Sequence, residues 1–512
     1  MPSSRRHFLS TTGYLAAAAL WSSRALGVTR QNVRLADYPF QLGVASGDPS
    51  PDGFVFWTRL APKPLEGGGM PADAIEVAWQ VAEDEAMTHV VAKGTTVANP
   101  DWAHSVHVEV SGLKPDRWYW YQFKAAGEAS PIGKSRTLPP TDLLPAALKF
   151  AFASCQNWEQ GHFTAYDHMA QDDLDLVVHL GDYIYEMPAN PKSFRQHVGA
   201  KPTTIDDYRN RHAQYKTDPL LQAAHAAFPW LVTWDDHEVE DNWAGEISAK
   251  GLTQDAFMQL RATAYKAYYE HMPLRHSSLP TGPYMSLYRR IPFGRLAQFD
   301  VLDTRQYRTD QACGDGTKPP CGGELAQDAT LLGDKQEAWL LNGLAKSSAT
   351  WNILAQQVMM ARVDQTPGES ESYSMDQWPG YEMNRRRLLK FFAERKLNPI
   401  VIAGDIHENW ANDLIVDFDQ LDSRTVATEF VGTSISSGGN GVATSEKREA
   451  VVAENPFVKF YNGQRGYVRC HATPKQWKTD FQTVPFVLKP DAPISTAASF
   501  IVEPGHPGAQ KA

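Results

Sequence analysis

Cysteine is scarce in this chain, with four residues among 512. A small disulfide-held scaffold is therefore excluded, and stability has to come from a buried core. Beyond the first thirty residues no apolar run is long enough to cross a bilayer, so no stable membrane insertion is expected. No block of lysine and arginine offsets the formal net charge of -10, and a nucleic-acid-binding role is not expected. Internal repeats and low-complexity tracts are also missing. What remains is a globular composition, 42% hydrophobic and 21% charged, on a length that suits two domains. Fifteen tryptophans and nineteen tyrosines point to a heavily packed, extracytoplasmic protein.

The amino terminus carries an address. Arg5 and Arg6 precede the short apolar stretch "GYLAAAALW", and "ALG" at 25–27 offers a small-residue cleavage site. This layout reads as a signal peptide over 1–27. The arginine pair followed by "HFL" resembles the twin-arginine signal, which implies the twin-arginine export machinery as a partner and a periplasmic or secreted location. Folded export suits proteins that load a cofactor before crossing. In an oxidising compartment Cys313 and Cys321, flanking "GDGTKPP", are placed to pair. Cys155 and Cys470 are left either to bridge each other or to stay free.

Residues 38–140 carry short alternating stretches ("FVFWTRL", "IEVAWQVA", "SVHVEV", "WYWYQFKA") between Gly, Pro and Asp turns. They predict a small β-sandwich, and "GLKPDRWYWYQF" resembles the turn and strand of fibronectin III-like modules. After the Pro-rich boundary at 137–147, strands and helices alternate over 148–500. "LKFAFAS", "LDLVVHLGD", "WLVTWDD", "LAQFDVLDT" and "PIVIAGDIH" read as buried strands, with a helix over Thr164–Gln171. The expectation is an α/β domain, a mixed-sheet sandwich flanked by helices.

In such sheets ligands bind beyond the carboxyl ends of the strands. Four predicted strand ends carry reactive side chains there: Cys155 in "ASCQNW"; Asp182, Tyr185 and Glu186 in "HLGDYIYE"; Asp235, Asp236, His237 and Asn242 in "TWDDHEVEDNW"; Asp405 and His407 in "AGDIHENW". Four together predict convergence on one site. Asp182, after a glycine at a strand end, could bridge two cations about 3.5–4 Å apart, an arrangement that clamps a phosphoryl group and stabilises the leaving oxygen.

The order "GD", acid-His-Glu, G-x-x-H resembles the calcineurin-like metallophosphoesterase superfamily. The chain departs from the commonest pattern: "SCQ" replaces the first Asp-x-His, Tyr185 the second acid, Asp236 the usual Asn, and Asp405 the first His of Gly-His-x-His. Oxygen donors gain over imidazoles, which favours hard cations, while a phenolate or thiolate favours a transition metal. Gly-Asp-x-x-Tyr is also the spacing of purple acid phosphatases. The whole set, with the front β-module, is more similar to PhoD-like alkaline phosphatases. That resemblance implies an Fe(III) and Ca²⁺ centre hydrolysing phosphate monoesters and diesters. Cys155, Asp182 and Tyr185 would hold iron, with Asp182 bridging. Asp236, Asn242, Asp405 and His407 would complete the metal cluster, and His237 would act as proton donor or phosphate stabiliser.

Each residue also has a plainer role. Tyrosine usually packs in a core, Asp235 and Asn242 suit turn caps, and Glu186 and Glu238 orient neighbours or face solvent. Arg305 and Arg308 in "LDTRQYR" suit phosphate as catalytic guanidinium groups, or a salt bridge equally well. The alternatives for the whole protein are a purple acid phosphatase-like Fe/Zn or Fe/Mn enzyme and a catalytically silent, Ca-stabilised binding protein. The natural phosphate ester, whether small molecule, phospholipid or wall polymer, is not legible.

Overall fold

The structure, a computed structural model, describes residue 35 and residues 37–512. The leader read over 1–27 lies outside those residues. Two large sheets face each other. One has ten strands and includes Leu148–Ala153, Leu176–His179 and Pro229–Val232; the other has seven and includes Ala297–Val301, Trp351–Ala355, Pro399–Ala403 and Thr425–Val431. These named strands run parallel within their sheets, and antiparallel strands extend both edges.

The period of two in the sequence explains the layering. Phe150, Phe152, Leu176 and Val178 point into a core shared with Phe299, Val301, Ile353, Ile402 and Phe430 of the facing sheet. Ala151, Ala153 and Val177 point the other way, under the helices Thr164–Gln171, Ile205–Lys216, Pro219–Ala227 and Gln254–His271. Both faces of these strands are buried, which is why they read as continuous apolar runs. On the outer face of the second sheet, Glu382–Glu394 buries Leu388, Leu389 and Phe392.

In the amino-terminal β region, read as a small β-sandwich over 38–140, one of the two layers is continuous with the ten-stranded sheet. Its strands Val44–Ser50, Gly53–Arg59 and Ser105–Val110 form one edge of the ten-stranded sheet. The join is a parallel pairing of Val44–Ser50 with Pro229–Val232, through Ser46 opposite Pro229 and Gly47 opposite Trp230. A separate sheet built on Ile75–Ala82, Val90–Ala98 and Trp118–Ala125 covers these strands over Phe54, Phe56, Val77, Tyr121 and Phe123. At the other edge of the large sheet, Ser495–Glu503 and His506–Lys511 pair as a hairpin, so the carboxyl-terminal tail is a strand. Among the described residues no helix is long and apolar enough to cross a membrane.

Candidate metal centre

Strand ends from the two sheets meet. Ser154 bridges Ser434 in parallel, and Gly404 approaches so closely that a Cβ there would lie 2.3 Å from the Ser154 hydroxyl. Gly181, at φ 110°, is as tightly placed: a Cβ would meet the Asp235 nitrogen at 2.5 Å. Glycine is thus required where the loop carrying Asp182 crosses the loop carrying Asp235.

Five of the seven predicted metal ligands have left-handed backbones: Cys155, Asp182, Asn242, Asp405 and His407, with φ between 55° and 68°. L-residues adopt this region at a cost, and such strain concentrates where side chains must be aimed. The aim is inward. Ligand atoms of Cys155, Asp182 and His407 lie within 4.8 Å of one another, as do those of Asp182, Asp236 and His237, and those of Asp235, Asp236 and Asp405. Asp182 belongs to two groups and Asp236 to two, so the three form one contiguous chain of donors.

Tyr185 joins at the first group. Its hydroxyl donates to Asp182 Oδ2 at 2.9 Å, lies 3.2 Å from His407 Nε2 and accepts from Ser437 Oγ at 2.7 Å. The other oxygen of Asp182 is buried without a partner, and so is one oxygen of Asp235. An unpartnered buried carboxylate oxygen is costly. Burial, reinforced by neighbouring carboxylates, pushes the acid groups of Asp182 and Asp405 well above the usual range. Burial likewise raises the Cys155 thiol and the Tyr185 phenol, with Asp182 adding to both. It lowers the His407 imidazole to about 3. Anionic donors crowded together, with open oxygens and too few counter-charges, fit bound cations.

Asn242 is held beside this cluster. Its backbone N–H donates to Asp236 Oδ2 at 2.7 Å, and its side-chain nitrogen donates to Asp315. His237 packs against Tyr185 with the rings tilted by 33° and their centroids 4.2 Å apart, and its Nδ1 is 2.7 Å from Glu186 Oε2. Burial opposes an imidazolium there, but Asp236, Asp182 and Glu186 raise its pKa well above 6.5. Of the two roles that suit Arg305, phosphate contact and salt bridge, the structure shows the second. Its side chain is 0% exposed, Nε on Asp235 at 2.5 Å and Nη1 on Asp376 at 2.9 Å, with Asp236 and Asp405 3.9 Å from Nη2. It is a buried counter-charge to the surrounding carboxylates. Arg308 is buried alongside, also on Asp376. Cys155 and Cys470 are both free and buried, and Cys313–Cys321 is a disulfide.

Several supporting residues lie outside the predicted ligand set. Glu238 is fully buried and accepts from the backbone N–H groups of Asp182, Tyr183 and Asp235, so one side chain locks two strand-end loops together. Gln377 donates to Asp405 Oδ2 at 3.1 Å. Acid-His-Glu spacing flagged Glu238; nothing in the sequence flagged Gln377, Asp376 or Ser437. A cavity of about 550 Å³ opens over Tyr185, His237 and His407, walled by Asn157, Met187 and Pro191.

Residues 150–481 match the model of the PhoD-like phosphatase family, and residues 27–139 match that of the PhoD-like phosphatase N-terminal domain. Alkaline phosphatase D of Bacillus subtilis (strain 168) is 52% identical over 517 residues, covering 99% of this chain and 89% of the relative. The solved structure of PhoD superposes with a TM-score of 0.92 at 53% identity, covering 94% of this chain and 93% of that one. The chain belongs to the PhoD-like phosphatase family.

Proposed function

We propose that the centre binds Fe(III) together with Ca²⁺ and hydrolyses phosphate monoesters and diesters outside the cytoplasm. The enzyme class itself follows from family membership: the chain is a phosphoric ester hydrolase, a phosphatase or phosphodiesterase. The single observation that carries the metal reading is Asp182, shared between two donor groups with one buried oxygen left open.

The donor chemistry divides the cluster. Thiol, phenol, imidazole and carboxyl at Cys155, Tyr185, His407 and Asp182 suit a trivalent iron, which is acidic enough to take a phenolate. Asp235, Asp236, Asp405 and Asn242 offer oxygen alone and suit Ca²⁺. Bound there, the cations supply Lewis-acid charge to phosphoryl oxygens and lower the pKa of water. The protein's own residues do the rest. Arg305 keeps Asp235 and Asp376 ionised and in place. Glu186 fixes the His237 ring by its Nδ1, so that the imidazolium can give a proton to the departing ester oxygen at the cavity floor. The architecture is read as a metallophosphoesterase-type sandwich with a fibronectin III-like module grafted to its edge, and the leader as a twin-arginine signal.

Chelation provides the test. Hydrolysis of p-nitrophenyl phosphate and of its bis-ester should vanish in EDTA and return on adding Fe(III) and Ca²⁺, with elemental analysis showing both metals in the native protein. Turnover undiminished by chelation, or a protein holding neither metal, would overturn the reading.

A further inference from the structure

The loop closed by Cys313–Cys321 lies outside every motif that marks the centre, yet it reaches the centre through Asp315. Asp315 Oδ2 accepts the side-chain N–H of Asn242 at 2.9 Å, while its Oδ1 accepts the backbone N–H of Gly316 at 2.6 Å. Each carboxylate oxygen therefore has its own donor, and the group is fixed in direction. Asn242 is held on other sides as well. Its N–H goes to Asp236, and its carbonyl accepts from Gln311 Nε2 at 2.7 Å and from Arg308 Nη2 at 3.3 Å. Of the polar atoms of Asn242, Oδ1 is the one that makes no hydrogen bond to another described residue.

An amide has one end that donates and one that can ligate a cation. A carboxylate only accepts, so Asp315 admits the nitrogen and repels the oxygen. We infer that Asp315 is a positioning residue: by holding the Asn242 amide nitrogen, it turns the amide oxygen toward the carboxylate cluster as a cation ligand. This rests on the reading of Asn242 as a ligand given above. The staple makes the hold firm. Cys313 and Asp315 both have left-handed backbones, at φ 58° and 63°. The strand Thr317–Lys318 then pairs with Tyr373–Ser374, two residues before Asp376. One exposed loop thus touches Asn242 directly and is tied to the segment that supports Arg305 and, through Gln377, Asp405.

The test uses the metal-loaded full chain, dialysed against EGTA-buffered Ca²⁺, with bound Ca²⁺ read by elemental analysis. Asn242→Ala examines the underlying reading: it should raise the free Ca²⁺ for half-occupancy about tenfold, the loss of one good ligand interaction. Asp315→Ala should shift it in the same direction by a similar factor. Asp315→Asn keeps an acceptor oxygen for the Asn242 nitrogen and should recover most of the affinity. Cys313→Ser combined with Cys321→Ser should fall between wild type and Asp315→Ala. If Asn242→Ala weakens Ca²⁺ but Asp315→Ala does not, the inference fails and the ligand reading stands. If Asp315→Asn is as weak as Asp315→Ala, charge and not orientation is at work, and the inference also fails. Unchanged Ca²⁺ binding in Asn242→Ala would overturn both.

Discussion

Replacing Arg305 with methionine tests the charge balance of the centre most directly. The guanidinium is fully buried, bonded to Asp235 and Asp376 and 3.9 Å from both Asp236 and Asp405. Methionine fills a similar volume and carries no charge. With its carboxylate ionised, each of the two 3.9 Å pairs represents about 4 kcal/mol of gross attraction at an effective dielectric of 20. Removing one partner of a buried ion pair destabilises a protein by about 3–5 kcal/mol, because the remaining charge stays desolvated. With four carboxylates affected, the upper part of that range is expected in chelator-treated protein. Cations on the same carboxylates would replace the missing charge, so the metal-loaded variant should lose clearly less. The assay is guanidinium unfolding of wild type and Arg305→Met, each with and without chelator. Arg305→Lys, which keeps the charge but cannot fork between Asp235 and Asp376, should lie between them. Equal losses in the two metal states would refute the idea that Arg305 and the cations share one set of anions.

Gly181→Ala should lower stability by at least about 2 kcal/mol, since it combines an unfavourable backbone with a clash against Asp235; a denaturant midpoint unchanged from wild type would contradict this. Tyr185→Phe removes the hydroxyl bonded to Asp182 and should cost chelated protein about 1–3 kcal/mol, because a buried Asp182 oxygen is left without its donor. In protein loaded with iron it should also abolish a visible phenolate absorption band. His179 is wholly buried, and burial, helped by Lys216, depresses its imidazole to about 3. Below pH 6.5 the unfolded chain takes up a proton that the folded one refuses, so stability falls as pH drops from 6.5 toward 3. The slope is up to about 1.4 kcal/mol per pH unit. His179→Asn should reduce the slope of the midpoint-against-pH curve over that window by the share of one histidine, and a parallel curve would show that other groups are responsible.

The strand-end residues were legible because the signal is local: an apolar run, then a glycine or small residue, then an acid, histidine or cysteine within a few positions. Helix Thr164–Gln171 was legible for the same reason. The fusion of the two β regions was not, since Ser46 pairs with Pro229 across a long stretch of chain and no local pattern announces a pairing between them. Arg305 shows the limit for single residues. Its chemistry suits both phosphate and carboxylate, and only the burial around it decides between them. Gln377 and Asp315 act through other side chains, a kind of work that leaves no spacing to recognise.

The shared sheet limits how this family can be taken apart. The two stretches matched by separate family models look like interchangeable cassettes, but the strand leading to Asp235 and Asp236 takes its outer neighbour from the first of them. A cut near residue 140 would therefore strip that strand of half its hydrogen bonds and expose a fresh, adhesive border beside the chemistry. Such a fragment is expected to aggregate, and a chimera can succeed only where the borrowed segment brings a strand that fits the same register.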